Sequence, residues 1–277
     1  MKYVMLSLIA YLPLLANTRP YCIGEFELLN KMMVVEAKVE AVEGYFIIDT
    51  GAPNLILNQT YFEGEKSDWV ARGVGSTAKA QKRLVKSFEW GCVTKKNFTV
   101  FVVNLEYLER AIGKPFLGLI GYELLKQKEL LFDYENQRIE QHKLKKSDLH
   151  LMDDPNQSIS FRLAAHVPIL EIELDEQAMN FILDTASEDN LLQKTEKATQ
   201  YPVKNMKLLV GTDQRPSLAR VVVIPNTALT DMALEDQEYL LTTLSNTSAE
   251  GILGFPVLNE LSKFSINYRK RKIYIWD

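Results

Sequence analysis

The chain has 277 residues, of which 47% are hydrophobic and 25% are charged, and this composition suits a globular protein large enough for two lobes. Its formal net charge of −4 argues against a surface built to bind nucleic acid or an anionic membrane. We therefore expect no nucleic-acid partner.

The N-terminus predicts an export signal. Lys2 is followed by an apolar stretch that reaches about Ala16, which is short for a transmembrane span and typical of the hydrophobic part of a signal peptide. We predict that residues 1–21 are this signal and that cleavage falls between Ala16 and Tyr21. A buried N-terminal strand is the alternative. Export would make the protein periplasmic or extracellular, with no membrane contact once the signal is removed.

Cysteine and histidine usage bears on disulfides and metals. The sequence contains two cysteines, Cys22 and Cys92, which an oxidising compartment would allow to pair. A disulfide and two isolated buried thiols stay equally open, because nothing in the sequence places their Cα atoms at bridging distance. His142, His150 and His166 lack the spacing of metal ligands, and no cysteine pair joins them. We therefore predict no metal and no cofactor.

The alternation of apolar and polar residues predicts a mainly β chain with short strands. Brief helices are predicted at 121–127 and 255–261. The polar stretch 146–158 contains a proline, and we predict that it links an N-terminal lobe at 22–145 to a C-terminal lobe at 159–277. The predicted strands are 34–40, 44–49, 96–103, 163–174, 181–184 and 219–224.

The second half of the chain repeats the first. Residues 34–50, VVEAKVEAVEGYFIIDT, align without gaps on residues 169–185, ILEIELDEQAMNFILDT. Asp184 therefore lies 135 positions beyond Asp49 (184 − 49 = 135), at the end of the same apolar run. Such self-similarity at a fixed period indicates a duplicated structural unit.

The repeat continues at a later glycine turn. Residues 117–125, LGLIGYELL, match residues 250–258, EGILGFPVL. The acid precedes the second glycine by 72 positions in the first half (121 − 49) and by 70 in the second (254 − 184). The chain is therefore two copies of one unit, each with an Asp-Thr pair early and an apolar-apolar-glycine turn late.

These two features together resemble the aspartic peptidases of the retroviral and pepsin type. The likeness is greatest to exported bacterial aspartyl-protease-family proteins, in which two retropepsin-like lobes are fused in one chain. It covers the sequence from about Glu25 to the C-terminus. It implies a mainly β, bilobal acid-protease fold made of two retropepsin-like β-barrel lobes with short helices. It also implies a monomer with a pseudo-twofold axis between its lobes.

Carried over residue by residue, the resemblance makes Asp49 and Asp184 the catalytic dyad. Two carboxyls held about 3 Å apart do not both ionise readily, so they share one proton and supply a base and an acid together. The resemblance thus implies an aspartic endopeptidase that activates water between two aspartates and cleaves a peptide or protein substrate. The supporting residues that it implies are Thr50, Gly51, Thr185, Ala186, Gly121 and Gly254.

A β-hairpin flap covers the cleft in that family. The candidate here is RGVGSTAKAQ, residues 72–81, with a mobile tip at Gly73, Val74 and Gly75. An ordinary glycine turn is the alternative. The corresponding stretch of the second lobe, 210–216, is more polar, so we expect closure from one side.

The second motif departs from the family pattern at Ala186, which replaces a glycine. A negative φ there would limit the cost of the methyl to cleft space, whereas a positive φ would strain the loop by about 1 kcal/mol or more. Glu188 and Asp189 would raise the pKa of Asp184 if they pointed inward, but we expect them to face solvent. Because of Ala186, a catalytically silent peptide-binding protein of the same fold is the alternative function.

Overall fold

The computed structural model describes residues 21–73, 76–144, 149–152, 154–210, 215–229, 232–234, 236–244 and 248–276. The predicted signal peptide, apart from Tyr21, lies outside these residues. Strands dominate the described chain, as predicted, and the helices are few and short. Within the described ranges, no helix has the length and apolar character needed to cross a membrane.

The first half of the chain supplies twelve of the described strands and two helices. They are β1 (Cys22–Glu25), β2 (Glu27–Leu29), β3 (Met32–Val39), β4 (Val42–Ile48), β5 (Ile56–Asn58), β6 (Val70–Gly73), β7 (Ser76–Lys79), β8 (Gln81–Trp90), β9 (Val93–Val103), α1 (Glu106–Ile112), β10 (Phe116–Ile120), α2 (Tyr122–Leu125), β11 (Lys128–Asp133) and β12 (Arg138–Lys143).

The second half supplies the remaining described elements, including one 3₁₀ turn at Ala198–Gln200. They are α3 (Leu149–Met152), β13 (Gln157–Ser160), β14 (Arg162–Ala164), β15 (Val167–Leu174), β16 (Gln177–Leu183), β17 (Asn190–Gln193), β18 (Val203–Val210), β19 (Pro216–Ile224), β20 (Thr227–Leu229), β21 (Met232–Ala233), β22 (Gln237–Thr242), β23 (Gly251–Leu253), α4 (Phe255–Glu260), β24 (Lys263–Asn267) and β25 (Lys272–Trp276).

The first half forms a sheet that closes on itself, which we call the first barrel. Its strand order is β2-β3-β4-β10-β5-β9-β8, and β3 also pairs with β8. Side chains alternate between the two faces of each strand, so Met33 and Val35 enter the main core while Met32 and Val34 enter a second cluster on the other face. Because both faces are covered, this part of β3 reads as a continuous apolar run.

The second half repeats this topology in what we call the second barrel. Its order is β18-β19-β22-β17-β23-β16-β15-β20-β21, with β14 beside β15. The strand β20 pairs with β15 and is separated from β19 by two residues, so the chain itself, rather than a strand pair, joins the two sides of this sheet. The bounds of β15 and β16 lie 135 positions beyond those of β3 and β4, as the gap-free alignment of the repeats predicts.

A six-stranded sheet joins the two halves. Its order is β1-β12-β11-β24-β25-β13, so each half contributes three strands and the antiparallel pair β11–β24 lies at the centre. Leu131 stands opposite Ser265, its counterpart in the repeat (265 − 131 = 134). On the core face, the Phe132 and Phe264 ring centroids are 5.2 Å apart. The sheet therefore has a local twofold axis at its centre and buries apolar side chains of both halves in one core.

Two local features differ from the sequence prediction. The predicted strand 163–174 is divided into β14 and β15 by a tight turn at Ala165 and His166, whose φ angles are 48° and 73°. Such turns usually carry Asn or Gly, so an Ala-His pair gives no readable signal. The described part of the predicted linker 146–158 contains α3 and the first residues of β13.

Cys22 and Cys92 form a disulfide, the alternative that the sequence left open. Their Cα atoms are 5.7 Å apart, and the bond joins β1 to the turn between β8 and β9. The backbone at Cys92 is held in place by Gln141, whose Oε1 accepts a hydrogen bond of 2.6 Å from the Cys92 N–H. The bond therefore ties the edge of the shared sheet to the first barrel.

We predict that Cys92→Ser lowers the free energy of unfolding by about 2–4 kcal/mol, because the bond links residues 70 positions apart and restricts the unfolded chain. Urea unfolding of the oxidised protein and the variant would measure this. Cys22→Ser should cost the same, and the double variant should cost no more than either. Additive losses would show that the two thiols stabilise the fold separately.

Candidate active site

Each acid of the repeat begins the loop after a parallel strand pair. The Asp49 N–H donates to the carbonyl of Ile120 (3.0 Å), and the Asp184 N–H donates to the carbonyl of Leu253 (3.0 Å). These bonds extend the parallel ladders β4–β10 and β16–β23 by one residue. The sheets therefore fix the backbone of both acids before the loops turn.

The two loops are joined by reciprocal hydrogen bonds of their threonines. The Thr50 N–H donates to Thr185 Oγ1 (3.1 Å), and the Thr185 N–H donates to Thr50 Oγ1 (3.0 Å). Each hydroxyl in turn donates to a carbonyl of the opposite barrel, Thr50 to Leu183 and Thr185 to Ile48, both at 2.7 Å. Both threonines are buried. All four bonds cross between the halves of the chain, so they hold the two acids side by side.

The carboxyl groups of Asp49 and Asp184 are close enough to share a hydrogen bond. Burial raises the pKa of both, and the negative charge of Asp184 helps to raise the pKa of Asp49 well above its usual range. The Ala186 N–H donates to Asp184 Oδ1 (2.9 Å), which opposes the rise at Asp184. The pair therefore retains one proton above the usual range of aspartate, and that proton belongs to both carboxyls together.

Three glycines leave room for this arrangement. A Cβ at Gly51 would lie 2.7 Å from Asp184 Cγ and 2.7 Å from its Oδ2, so the second carboxyl packs directly on the first loop. A Cβ at Gly121 would collide with carbonyl oxygens of the first acid loop, and one at Gly254 would collide with those of the second. None of the three has a left-handed φ. Space, rather than backbone conformation, is what requires glycine here.

Ala186 fits its position without backbone strain. Its φ is outside the left-handed region, so the strained alternative considered from the sequence does not hold. Its methyl packs against a cluster that otherwise comes from the first half, including Ile47, Leu119 and Tyr107. The methyl therefore occupies space at the boundary of the barrels.

Of the two acids that follow Ala186, Asp189 is paired with a lysine and Glu188 lies near two lysines. Lys207 Nζ donates to both carboxylate oxygens of Asp189 (2.7 and 2.5 Å). Burial raises the pKa of Glu188, and the nearby charges of Lys207 and Lys31 oppose that rise. The negative charge of this segment is thus balanced locally.

The sequence analysis missed Tyr107, which lies on the unpredicted helix α1. Burial and the charges of Asp49 and Asp184 raise the pKa of Tyr107 to about 12. Its phenol therefore lies near the carboxyl pair and stays neutral at physiological pH. Two residues of the sequence could have indicated this helix. Asn104 precedes its start, where its Oδ1 accepts a hydrogen bond from the Glu106 N–H (3.0 Å), and Gly113 ends it with a φ of 73°.

The predicted flap segment is a two-stranded hairpin. β6 and β7 pair from Val70 opposite Lys79 to Gly73 opposite Ser76. The connecting residues Val74 and Gly75 lie outside the described chain. In β6 and β7, Ala71 and Ala78 pack on the same cluster as Tyr107 and Ala186. The hairpin thus lies on the first-barrel side of the carboxyl pair.

The second barrel has a longer hairpin at the matching place. β18 and β19 pair from Val203 opposite Val222 to Val210 opposite Pro216, and residues 211–214 at its tip are outside the described chain. Its outer face exposes Leu208 (61%) and Leu218 (65%). The described ends of the polar stretch 210–216, Val210 and Pro216, thus pair with each other in a hairpin with an apolar outer face.

Metal chemistry has no candidate site in the part of the chain that the structure describes. No three side chains of His, Cys, Asp or Glu come together there in a way that would hold a metal ion.

The strand order of the two barrels, their shared sheet and the paired Asp-Thr loops define a bilobal acid-protease fold, and this confirms the predicted fold class. No family model matches the sequence, and no curated protein matches it. Among solved structures, the chain is similar to that of basic 7S globulin from soybean, with a TM-score of 0.48 and 9% identity over 92% of this chain and 94% of that chain.

We predict that Asp49→Asn stabilises the protein increasingly as pH rises. The folded pKa of Asp49 is above the ordinary value of 3.8, so its contribution to stability is fully present below that pH and is lost as pH rises through the folded pKa. Asparagine does not titrate and avoids this loss, which is about 1.4 kcal/mol for each unit of raised pKa.

Urea unfolding of the wild type and the variant at pH 3.5, 5 and 7 measures this effect. Asp184→Asn should show a gain of the same sign, because the pKa of Asp184 is also raised and the proton belongs to the pair. A stability difference that is constant across this range would contradict the raised pKa values.

Proposed function

We propose that the chain is an aspartic endopeptidase whose catalytic residues are Asp49 and Asp184. The observation that carries this proposal is the contact of their two carboxyls, 135 positions apart in sequence, on loops joined by reciprocal threonine hydrogen bonds. A carboxyl pair that retains one proton supplies the base and the acid that amide hydrolysis needs without a metal or a side-chain nucleophile.

The proposed cycle starts with the one proton of the pair on Asp49 and with Asp184 ionised. Asp184 accepts a proton from a water molecule, whose oxygen forms a bond to the carbonyl carbon of the peptide. Asp49 gives its proton to the carbonyl oxygen, so a neutral tetrahedral diol forms. Asp184 then gives its new proton to the amide nitrogen while Asp49 takes a proton from one hydroxyl of the diol, so the C–N bond breaks and a carboxylic acid and an amine leave. Each step moves one proton to the pair and one proton from it, so the pair ends with the one proton that it held at the start.

The substrate class is an extended peptide with apolar side chains near the bond that is cut. The first-barrel side of the carboxyl pair is apolar, because Ala71 and Ala78 of the hairpin, Tyr107 of α1 and Ala186 belong to one cluster. This surface favours apolar side chains over charged ones. We propose that the hairpin β6–β7 acts as the flap over such a peptide, because its Ala71 and Ala78 pack on the same cluster as Ala186.

The place of action that we propose is periplasmic or extracellular. Two independent features support it: the apolar N-terminal stretch of the sequence, and the disulfide between Cys22 and Cys92. Disulfides persist in oxidising compartments and are rare in the cytosol.

We predict that Asp49→Asn and Asp184→Asn each lower kcat by about 10²–10⁴-fold, because each removes one of the two proton-transfer groups. Cleavage of a peptide library by the protein lacking residues 1–20, from pH 3 to pH 7, supplies the assay. An inhibitor that mimics the tetrahedral diol should block the wild type. Wild-type activity in Asp184→Asn would remove the second barrel from the mechanism.

A catalytically silent peptide-binding protein is the second candidate, and the alanine in place of glycine at position 186 is the observation that favours it. Binding of library peptides without cleavage at any pH would support this candidate. Chelator-sensitive cleavage would contradict both.

The two motif positions should respond differently to substitution. We predict that Gly51→Ala lowers turnover at least tenfold, because its Cβ would meet the Asp184 carboxyl at 2.7 Å. Ala186→Gly should raise turnover only several-fold, because it removes a methyl from an unstrained loop and about 1 kcal/mol of crowding at most. Equal effects of the two substitutions on kcat would show that the difference between Gly51 and Ala186 has no role in catalysis. An inactive wild type rescued by Ala186→Gly would identify a silenced peptidase.

A further inference from the structure

Two aromatic residues stand directly after the glycine turns behind the acids. Tyr122 begins α2, and its N–H donates to the carbonyl of Ala52 in the first acid loop (2.9 Å). Phe255 begins α4, and its N–H donates to the carbonyl of Ser187 in the second acid loop (2.9 Å). A displacement of either aromatic residue is therefore transmitted to an acid loop through one hydrogen bond.

Residues of the second half of the chain contact the Tyr122 ring. The His166 ring is stacked on it, with centroids 4.9 Å apart and an interplanar angle of 13°. The Tyr268 ring meets it edge-on at 5.1 Å and 78°. An aromatic residue that supports the first acid loop is thus held by two residues of the opposite half.

The arrangement at Phe255 is the counterpart with the halves exchanged. Lys31 Nζ lies 5.8 Å from the Phe255 ring centroid, and the Tyr134 ring centroid is 6.1 Å away. Both contacting residues come from the first half. An aromatic residue that supports the second acid loop is therefore also held from the opposite half.

Lys31 and His166, the two surface residues that contact these rings, occupy equivalent places in the repeat. His166 lies 135 positions beyond Lys31 (166 − 31 = 135), the same interval as between the two acids. Each is the second residue of a tight turn with left-handed backbone, φ 64° at Lys31 and 73° at His166. Both side chains are solvent-exposed, so their contacts with the rings contribute little to the hydrophobic core.

We propose that Lys31 and His166 are positioning residues that set the two acid loops against each other. Each reaches from a surface turn of one half to the ring that supports the acid loop of the other half. The consequence for catalysis rests on the proposed peptidase function, whereas the effect on the acid loops does not. Both residues lie on the surface, so their loss leaves the barrels folded. It weakens the hydrogen bonds between Thr50 and Thr185 that hold the two acid loops together, which we call the joint.

The test replaces each residue with asparagine, which tolerates the left-handed backbone of these turns and reaches neither ring. Hydrogen exchange of the Thr50 and Thr185 amides, which donate across the joint, gives the readout. Lys31→Asn and His166→Asn should each lower the protection of these amides about two- to five-fold, the range expected for an exposed cation or stacking contact on a ring. The double variant should show the product of the two effects.

Control measurements separate this role from a general loss of stability. The Val35 amide, inside the first barrel, should keep its protection in all the variants. His166→Lys, which places the residue of the equivalent turn beside Tyr122, should restore protection. Lys126→Ala removes a cation that lies 4.8 Å from the same ring but belongs to the same half, so it should change nothing at the joint.

Kinetics add a second readout. If the proposed peptidase function holds, kcat should fall two- to five-fold in each asparagine variant while KM stays unchanged, because acid placement rather than peptide binding is altered. Unchanged protection of the Thr50 and Thr185 amides in the double variant would overturn the proposal. An equal loss of protection in Lys126→Ala would also overturn it. An inactive wild-type protein would contradict the proposed peptidase function only. The positioning role would still be tested by hydrogen exchange of the Thr50 and Thr185 amides.

Discussion

The reciprocal hydrogen bonds between Thr50 and Thr185 are the constraint on which the site depends. Two buried carboxyls repel each other as soon as both ionise, and burial itself disfavours their charge. The threonines hold the two acid loops together against this repulsion with four buried hydrogen bonds that cross between the barrels. Removing one hydroxyl would leave buried donors and acceptors without partners, so the joint forms as a unit.

The surrounding fold keeps that joint from opening. The shared six-stranded sheet places β11 of one half beside β24 of the other, and their inner faces contribute Phe132 and Phe264 to a core that continues into both barrels. Separating the barrels would therefore expose apolar surface as well as break a strand pair. The cost of burying two acids is offset by packing that lies outside the site.

The two halves share their topology but differ around the acids. The first half has Gly51, which lets the second carboxyl pack on its loop, whereas the second half has Ala186, whose methyl packs on the first barrel. The first half adds α1 with Tyr107, and the second half extends its sheet into the hairpin β18–β19, which Lys207 ties to Asp189. The hydrogen bonds between the two acid loops are thus symmetric, whereas the surroundings of the two acids are not.

The sequence by itself determined the features that repeat or that follow from local chemistry. Strand periodicity predicted the β class, because side chains alternate along a strand. The gap-free repeat located Asp49 and Asp184 at strand ends, because Asp-Thr-Gly favours a turn at Asp49 and the same apolar run precedes Asp184. Only the tertiary structure decided the rest. The disulfide between Cys22 and Cys92, the approach of Tyr107 to the acids and the unstrained backbone of Ala186 depend on packing between distant segments. The Ala165-His166 turn and the contacts of its histidine with Tyr122 were equally unreadable, since neither residue type signals such a turn and the contact joins two halves of the chain.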